Sequence, residues 1–303
     1  MTERSKGFLA IIACCVTWGL SPVYYRLLAD VPVIEVLAHR TIWSLLLFLA
    51  IFAVQGRLGD LPRAIRGPWA GRIALAALTI SGNWGLFIWA VQAGHVVQTS
   101  LGYYIYPLVA VLLGVLAYGE RLGRFQALAV ALAVLAVALL TWGLGVAPWI
   151  SLTLAASMGF YGVIKKSLPL GPAMSVGGEV ALLTPLALLW LALQGGGALP
   201  AGLSAPLAFG SGWGVSLLLA FSGVITAIPL VLFAYSARRV EMTTLGLMFY
   251  LNPTLQFLCA VALFGERVTG WHVIAFAMIW TALAIYSVAG IRQSRRAVAL
   301  ANG

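Results

Sequence analysis

One sequence pattern occurs twice in the chain, and its two copies lie 146 residues apart. The pattern Leu-x-x-Tyr-x-x-Pro begins at Leu101 and again at Leu247, and the triplet Gly-Glu-Arg follows it at Gly119 and at Gly265. All six positions show the same displacement, which is about half of the 303 residues. We therefore predict that the chain consists of two similar structural repeats.

The composition places both halves in a lipid bilayer. Hydrophobic residues make up 62% and charged residues 9% of the sequence, and the mean hydropathy is +1.01. A soluble domain carries about 25% charged residues. The composition thus indicates a polytopic membrane protein and argues against a soluble nucleic-acid-binding domain, despite the net charge of +10. An apolar chain of two similar halves is typical of membrane transporters with internal repeats. The three cysteines, all in apolar segments, indicate neither disulfides nor a metal site.

Ten stretches are long and apolar enough to form transmembrane helices, each of which needs about 20 residues. Their continuous apolar character argues against the alternating pattern of membrane strands. The first stretch is too long for the apolar region of a signal peptide, so we expect it to remain as a helix. The predicted fold is all-α, with ten transmembrane helices at residues 7–29, 33–54, 71–91, 97–118, 125–143, 148–165, 175–193, 214–236, 243–264 and 271–291.

The basic residues divide unevenly between the two sides of this arrangement. With the N-terminus inside, 15 of the 18 Lys and Arg residues fall on the inner side, and only Arg26, Arg40 and Arg267 fall elsewhere. Basic loops favour the cytoplasm, so the distribution predicts a multi-pass protein of a bacterial inner membrane with both termini cytoplasmic. Each half contains an odd number of helices, five, so the second half enters the membrane in the opposite orientation. We therefore predict two inverted repeats, residues 1–146 and 147–303.

Several motifs of the first half combine aromatic, amide, proline and charged residues. They are Asn83-Trp84-x-x-Phe87-x-Trp89-Ala90, Ser100-Leu101-Gly102-Tyr103, Pro107, Gly119-Glu120-Arg121 and His39-Arg40-x-x-Trp43-Ser44. With these motifs the chain resembles the drug/metabolite transporter superfamily. Within that superfamily it is similar to EamA-domain proteins of the RarD-like branch, over nearly its whole length.

The resemblance implies a permease in which helices 1–4 and 6–9 surround a central cavity and helices 5 and 10 lie at the periphery. It implies alternating-access export of small organic metabolites, with neutral and aromatic amino acids first, because the superfamily includes amino-acid exporters. A multidrug or toxic-compound exporter is the alternative. An intramembrane enzyme or a sensor is a rival of a different class, which would need a catalytic set or an output domain.

Cofactors and partners follow from the same sequence. A phosphate-cradling Gly-rich loop is absent from the sequence, so we do not expect ATP to drive transport directly. We also expect no cofactor. The expected partners are a small-molecule substrate, an amino acid or a related metabolite, and the lipid bilayer, without nucleic acid.

Charged groups inside a membrane are costly and are therefore candidates for function. His39 and Arg40 lie about a turn and a half into the second span, and Glu35 shares a helical face with His39 at i,i+4 spacing. One interpretation is a cluster that binds a substrate carboxylate or handles a proton. The other is that Arg40 extends to the outer headgroups and Glu35 pairs with it.

The second half repeats part of this pattern. Glu179 lies 144 residues after Glu35 and, by the same reasoning, either carries a proton or binds a substrate amine. The structural alternative is an interfacial ion pair with Lys165 or Lys166. Span 7 lacks a His-Arg pair, so we expect an asymmetric substrate site with more polar groups from the first half.

Aromatic and amide side chains are expected to line the substrate site, because sites for small organic ligands combine apolar walls with a few polar groups. An interfacial belt is the alternative for Trp and Tyr, and a helix–helix hydrogen bond is the alternative for Asn83. The candidate cavity residues are Trp18, His39, Arg40, Trp43, Asn83, Trp84, Phe87, Ser100, Tyr103, Tyr104, Tyr161, Glu179, Tyr250 and Asn252.

Two prolines at matching positions of the repeats are candidate hinges. Pro107 and Pro253 are predicted to lie in the middle of helices, where a proline removes one backbone hydrogen bond and kinks the helix. A static kink that shapes packing is the alternative. The duplication favours a moving role, since transporters of this architecture use broken helices at their sites.

Overall fold

Every regular element that the computed structural model describes, in residues 2–118, 123–145, 147–200, 205–237, 239–240 and 248–301, is a helix. The helices of the first half are α1 (Glu3–Gly19), α2 (Ser21–Arg26), α3 (Val33–Val54), α4 (Asp60–Arg66), α5 (Ala70–Gln92), α6 (Val96–Tyr118) and α7 (Arg124–Leu144). Those of the second half are α8 (Trp149–Lys166), α9 (Pro172–Gly195), α10 (Trp213–Ala237), α11 (Leu251–Leu258), a π-helical segment (Cys259–Leu263) and α12 (Gly270–Ala301).

A helix lies at each of the ten predicted spans. In the described residues, seven helical stretches are long and apolar enough to cross a membrane, and Leu251–Leu263 is a shorter apolar helix. Helices satisfy their own backbone hydrogen bonds, which lipid cannot do. The chain is an all-α polytopic membrane protein, as the composition predicts.

The helices of the two halves pack against each other in a symmetric pattern. α1 packs against α10 and α11, and α8, its counterpart, packs against α5 and α6. α3 packs against α10 and α9 packs against α5, while the pairs α3–α9 and α7–α12 join equivalent helices. Exchanging the halves converts each of these contacts into another one. This is the pattern that a two-fold axis between two five-helix repeats produces.

The peripheral position expected for helices 5 and 10 agrees with this packing. α7 and α12 pack mainly against each other, and the indole ring of Trp271 lies where a side chain at Gly143 would be. α7 consists largely of Ala, Leu and Val and leaves most of its surface uncovered.

Contacts at the two ends of the bundle match the charge-based assignment of the loops. At one end, Arg239 forms an ion pair with Glu3, and Arg72 donates to the backbone carbonyl of Ser167. At the other end, the Glu266 carboxylate accepts hydrogen bonds from the first backbone N–H groups of α6. Burial raises the pKa of Glu266, and the two N–H donors oppose this shift. Which end faces the cytoplasm stays a prediction.

The first span departs from a single predicted helix. It is interrupted at Leu20, and Pro22 lies in the first turn of α2, where its missing N–H is tolerated. Just before this break, two helices approach each other closely. A Cβ atom at Gly19 would lie 2.6 Å from the Cβ of Leu255 on α11.

The two candidate hinge prolines differ in their helical surroundings. Pro107 lies inside the continuous helix α6, whereas Pro253 is the third residue of α11, just after a turn at Tyr250. Residues 248 and 249 are also helical, so the turn at Tyr250 interrupts a helical stretch just before Pro253. The repeated Leu247 and the triplet 119–121 lie outside the described residues.

Candidate functional site

Arg40 of α3 is buried among aromatic rings. Its side chain is 6% exposed, its Nη1 donates to the Tyr25 hydroxyl at 2.8 Å, and its guanidinium carbon lies 3.8 Å from the centroid of the Trp84 ring. Its Nε has no hydrogen-bond partner. Among the described residues, no Asp or Glu oxygen lies within 4 Å of its nitrogens.

This geometry contradicts the interpretation in which Arg40 extends to the headgroups and pairs with Glu35. Burying an ion costs several kcal/mol even after relaxation. A desolvated cation–π contact contributes about 2 kcal/mol, and one neutral hydroxyl adds a charge-assisted hydrogen bond. Arg40 is therefore a buried cation whose charge is only partly compensated by neutral groups.

Further rings extend the surroundings of Arg40 across helices α2, α5 and α6. Tyr25 meets Phe87 edge to face at 5.9 Å, and Phe87 meets Tyr103 at 5.8 Å. Trp84 and Tyr103 are partly exposed, while the other members are buried. We refer to Tyr25, Arg40, Trp84, Phe87 and Tyr103 as the Arg40 cluster. All five belong to the first half of the chain.

Asn83 lies beside this cluster and joins helices. Its Nδ2 donates to the carbonyl of Leu154 at 3.1 Å and to Ser157 Oγ at 2.8 Å, both on α8. Its Oδ1 accepts from the Tyr103 hydroxyl at 3.4 Å. The amide thus attaches α8 to α5 and orients Tyr103, as the helix–helix alternative for Asn83 predicts.

Glu35 holds a loop segment at the end of α3. Its carboxylate accepts from the backbone N–H groups of Ala208 and Phe209, at 2.8 and 3.0 Å, and from Gln194 Nε2 at 2.9 Å. The Phe209 ring then stacks on His39, with ring centroids 4.6 Å apart. His39 therefore faces a loop and lies outside the Arg40 cluster.

Trp43 belongs to the same face as His39, and its ring centroid lies 6.3 Å from that of Phe209. The Nε2 of His39, the Nε1 of Trp43 and the Oγ of Ser44 are buried without hydrogen-bond partners. With the Nε of Arg40, α3 supplies four of the six such side-chain atoms found in the described residues. Buried polar atoms are normally paired, so this helix is the part of the described bundle with the most unused hydrogen-bonding capacity.

Glu179 lies in a compact polar group at the other end of the bundle. Its carboxylate accepts from Lys165 Nζ at 2.6 Å, from the Tyr161 hydroxyl at 3.0 Å and from Ser175 Oγ at 3.2 Å. Lys165 also bonds to Ser175. The ion pair proposed as the structural alternative for Glu179 is present, and it involves Lys165.

The remaining candidate residues contact α11 or its neighbours and lie outside the Arg40 cluster. Ser100 donates to the carbonyl of Pro253 at 2.7 Å, and the hydroxyl of Tyr104 shares a hydrogen bond with Thr254. Asn252 accepts from Gln256, Trp18 packs edge-on against Phe249, and Tyr250 packs against the main apolar core.

Sequence reasoning did not select Tyr25, Gln194 or the segment at Ala208 and Phe209. Tyr25 follows Tyr24 in a short segment after a proline, which offers a weak signal. Gln194 is a lone amide at the end of an apolar span. The loop residues offer none, because two of their contacts to Glu35 use backbone N–H groups that every residue except proline has.

Known proteins share both the sequence and the fold of this chain. The EamA-like transporter family matches residues 5–142. "Protein RarD" of Streptomyces exfoliatus is 43% identical, covering 97% of this chain and 92% of that protein. "Protein RarD" of Escherichia coli is 36% identical, covering 97% and 98%. The chain belongs to the EamA-like transporter family.

Two further comparisons refine this assignment to the EamA-like family. The "Chloramphenicol-sensitive protein RarD" of Pseudomonas aeruginosa is 31% identical and covers 93% of this chain and 94% of that protein. A solved structure described as "Crystal structure of protein" matches with a TM-score of 0.61 at 19% identity, over 96% of this chain and 97% of that one, which supports the fold alone. The RarD-like resemblance seen in the motifs is confirmed.

Proposed function

We propose that this EamA-like permease exports small organic metabolites, with neutral and aromatic amino acids as the first candidates. It acts by alternating access in the bacterial inner membrane, with both termini in the cytoplasm. The observation that carries the proposal is the Arg40 cluster, which assembles one cation and four aromatic rings from four helices inside the bundle.

The chemistry of this cluster suits a small organic ligand. Aromatic walls with a few placed polar groups are typical of such sites, and two of the rings, those of Trp84 and Tyr103, are partly exposed. The symmetric packing of the halves supports alternating access, since rocking of one repeat against the other moves the site from one side to the other.

A second candidate function is export of drugs or other toxic compounds. It is favoured by the name of the Pseudomonas relative, which links that protein to chloramphenicol, a neutral nitroaromatic amide. The partly exposed rings of Trp84 and Tyr103 can stack on such a compound without using the charge of Arg40.

Transport assays with the purified full-length protein in liposomes separate the two functions. We expect uptake of several radiolabelled neutral or aromatic amino acids, and a marked loss of uptake in Trp84→Leu. Trp142→Leu is the matched control, because Trp142 lies on α7 with 78% of its surface exposed. Uptake of chloramphenicol without any amino acid would favour the drug exporter, and equal rates for both tryptophan variants would count against the Arg40 cluster as the site.

A further inference from the structure

We infer that Arg40 is the binding site for a carboxylate group of the transported substrate. The inference deepens the proposed function and rests on it. It starts from a mismatch: Arg40 is a buried cation, and the groups that contact it in the described part of the chain are neutral.

The buried and partly buried carboxylates described inside the bundle bind groups other than Arg40. Glu35 accepts from Gln194 and from two backbone N–H groups, and Glu179 accepts from Lys165, Tyr161 and Ser175. Glu266 binds the first N–H groups of α6. A counter-ion for Arg40 therefore has to come from outside the described residues, and a substrate anion fulfils this requirement.

The orientation of the guanidinium leaves its donors free for such an anion. The guanidinium carbon lies 3.8 Å from the centroid of the Trp84 ring, and the five N–H bonds of the planar group lie in its own plane. Only Nη1 has a hydrogen-bond partner among the described residues, the Tyr25 hydroxyl, and Nε has none. A carboxylate can accept two parallel N–H bonds from a guanidinium, and the low dielectric of the interior strengthens the attraction.

The surrounding rings define the rest of the ligand. Trp84 lies against the guanidinium, Phe87 packs edge-on against Tyr25 and Tyr103, and Trp84 and Tyr103 are partly exposed. A ligand that binds Arg40 through its carboxylate would rest its apolar body on these rings. The chemical class is therefore a small organic acid with an aromatic or apolar side chain, which includes zwitterionic amino acids.

Matched pairs of probes test the role of the carboxylate. We would measure binding to the full-length protein in detergent by calorimetry, using L-phenylalanine with L-phenylalaninamide and 3-phenylpropionate with 3-phenylpropionamide. We expect the acids to bind at least about 10-fold more tightly than their amides. Arg40→Gln should lower the affinity for the acids on the order of 100-fold, and Arg40→Lys should lie between, because it keeps the charge and loses the planar fork.

Arg26→Gln is the control. Arg26 is an exposed arginine that donates to the backbone carbonyl of Gln92, so its variant should keep the preference for acids. A parental protein that binds no acid, or binds acids and amides equally, overturns the inference.

Thermal unfolding without ligand tests a purely structural role for Arg40. Removing an uncompensated buried charge should leave the unfolding temperature unchanged or raise it, while the stabilisation by added acid disappears. If Arg40→Gln unfolds at a lower temperature and keeps the preference for acids, the role of Arg40 is purely structural and the inference is wrong.

Liposome transport separates failure of this inference from failure of the proposed function. If the parental protein transports acids and amides alike and Arg40→Gln has no effect, the permease function stands and the carboxylate site is wrong. If the preference for acids vanishes in Arg40→Gln while the parental protein transports none of the probes, the site stands and the transport role is wrong.

Discussion

Glu35 and Glu179 lie 144 residues apart in sequence, at matching places in the two halves, yet different groups bind their carboxylates. Both are fully buried. Glu35 accepts from a side-chain amide and two backbone N–H groups of a loop, whereas Glu179 accepts from Lys165, a tyrosine and a serine. The donors to Glu35 in the described residues are neutral, whereas one donor to Glu179 is the ammonium group of Lys165.

The helices α3 and α9, which carry these carboxylates, also differ at the position five residues after each carboxylate. Five residues after Glu35 comes Arg40, and its counterpart five residues after Glu179 is Thr184, whose hydroxyl bonds within α9 to the carbonyl of Val180. The first half thus gives Arg40 and Glu35 separate, neutral hydrogen-bond partners, and the second half contains a closed ion pair. The repeat fixes where a polar group lies, and its neighbours decide whether any charge is left for a ligand.

The largest expected effect concerns which side of the membrane each end of the helical bundle faces. We expect alkaline phosphatase fused after Gly303 to be inactive, because basic loops place the C-terminus in the cytoplasm. A truncated fusion after Gly197, near the Glu35 end, should be active. The reverse result would show that the inner and outer ends are exchanged and would contradict the topology predicted from the basic residues.

The next effect concerns the ion pair of the second half. Lys165→Met leaves the buried Glu179 without its cation, and we expect a loss of about 3 kcal/mol in the free energy of unfolding. Thermal unfolding in detergent measures it. Lys165→Met combined with Glu179→Gln should recover much of the loss, since Tyr161 and Ser175 can still donate. A single variant as stable as the parent would show that the pair adds nothing.

The two prolines give a smaller effect, on transport. Pro107→Ala restores a backbone hydrogen bond inside α6 and should stabilise it, by up to about 3 kcal/mol, while transport falls several-fold. Pro253→Ala should change transport less, because Pro253 lies in the first turn of α11. Pro200→Ala, in a loop, is the control. Equal losses of transport in Pro253→Ala and Pro107→Ala would instead support a hinge role for both prolines.

The smallest effect is expected at Glu35 itself. In Glu35→Gln the carbonyl oxygen still accepts from the N–H groups of Ala208 and Phe209, and only the bond from Gln194 is lost. We expect a cost of about 1 kcal/mol in thermal unfolding. Glu179→Gln should cost more, because it removes the carboxylate that pairs with the partly buried Lys165. Equal costs would mean that the two carboxylates are equivalent after all.

Part of the site could be recognised in the sequence. Intramembrane charge marked Arg40, and the aromatic motifs marked Trp84, Phe87 and Tyr103, which all lie in the Arg40 cluster. Ser100 and Tyr104 belong to the same motifs but face α11. A span that is apolar on all sides has no clear amphipathic stripe, so the direction of each side chain follows from the neighbouring helices.

The sequence by itself determined the all-helical fold and the ten spans, because apolar length suffices when every backbone group must bond within its own segment. Only the tertiary structure decided which charges have partners. Arg40 and Glu35 are five residues apart and the sequence left their pairing open, yet a loop about 170 residues away binds Glu35 and Trp84 lies against Arg40. Such contacts depend on which helix ends meet, and composition and periodicity carry no information about that.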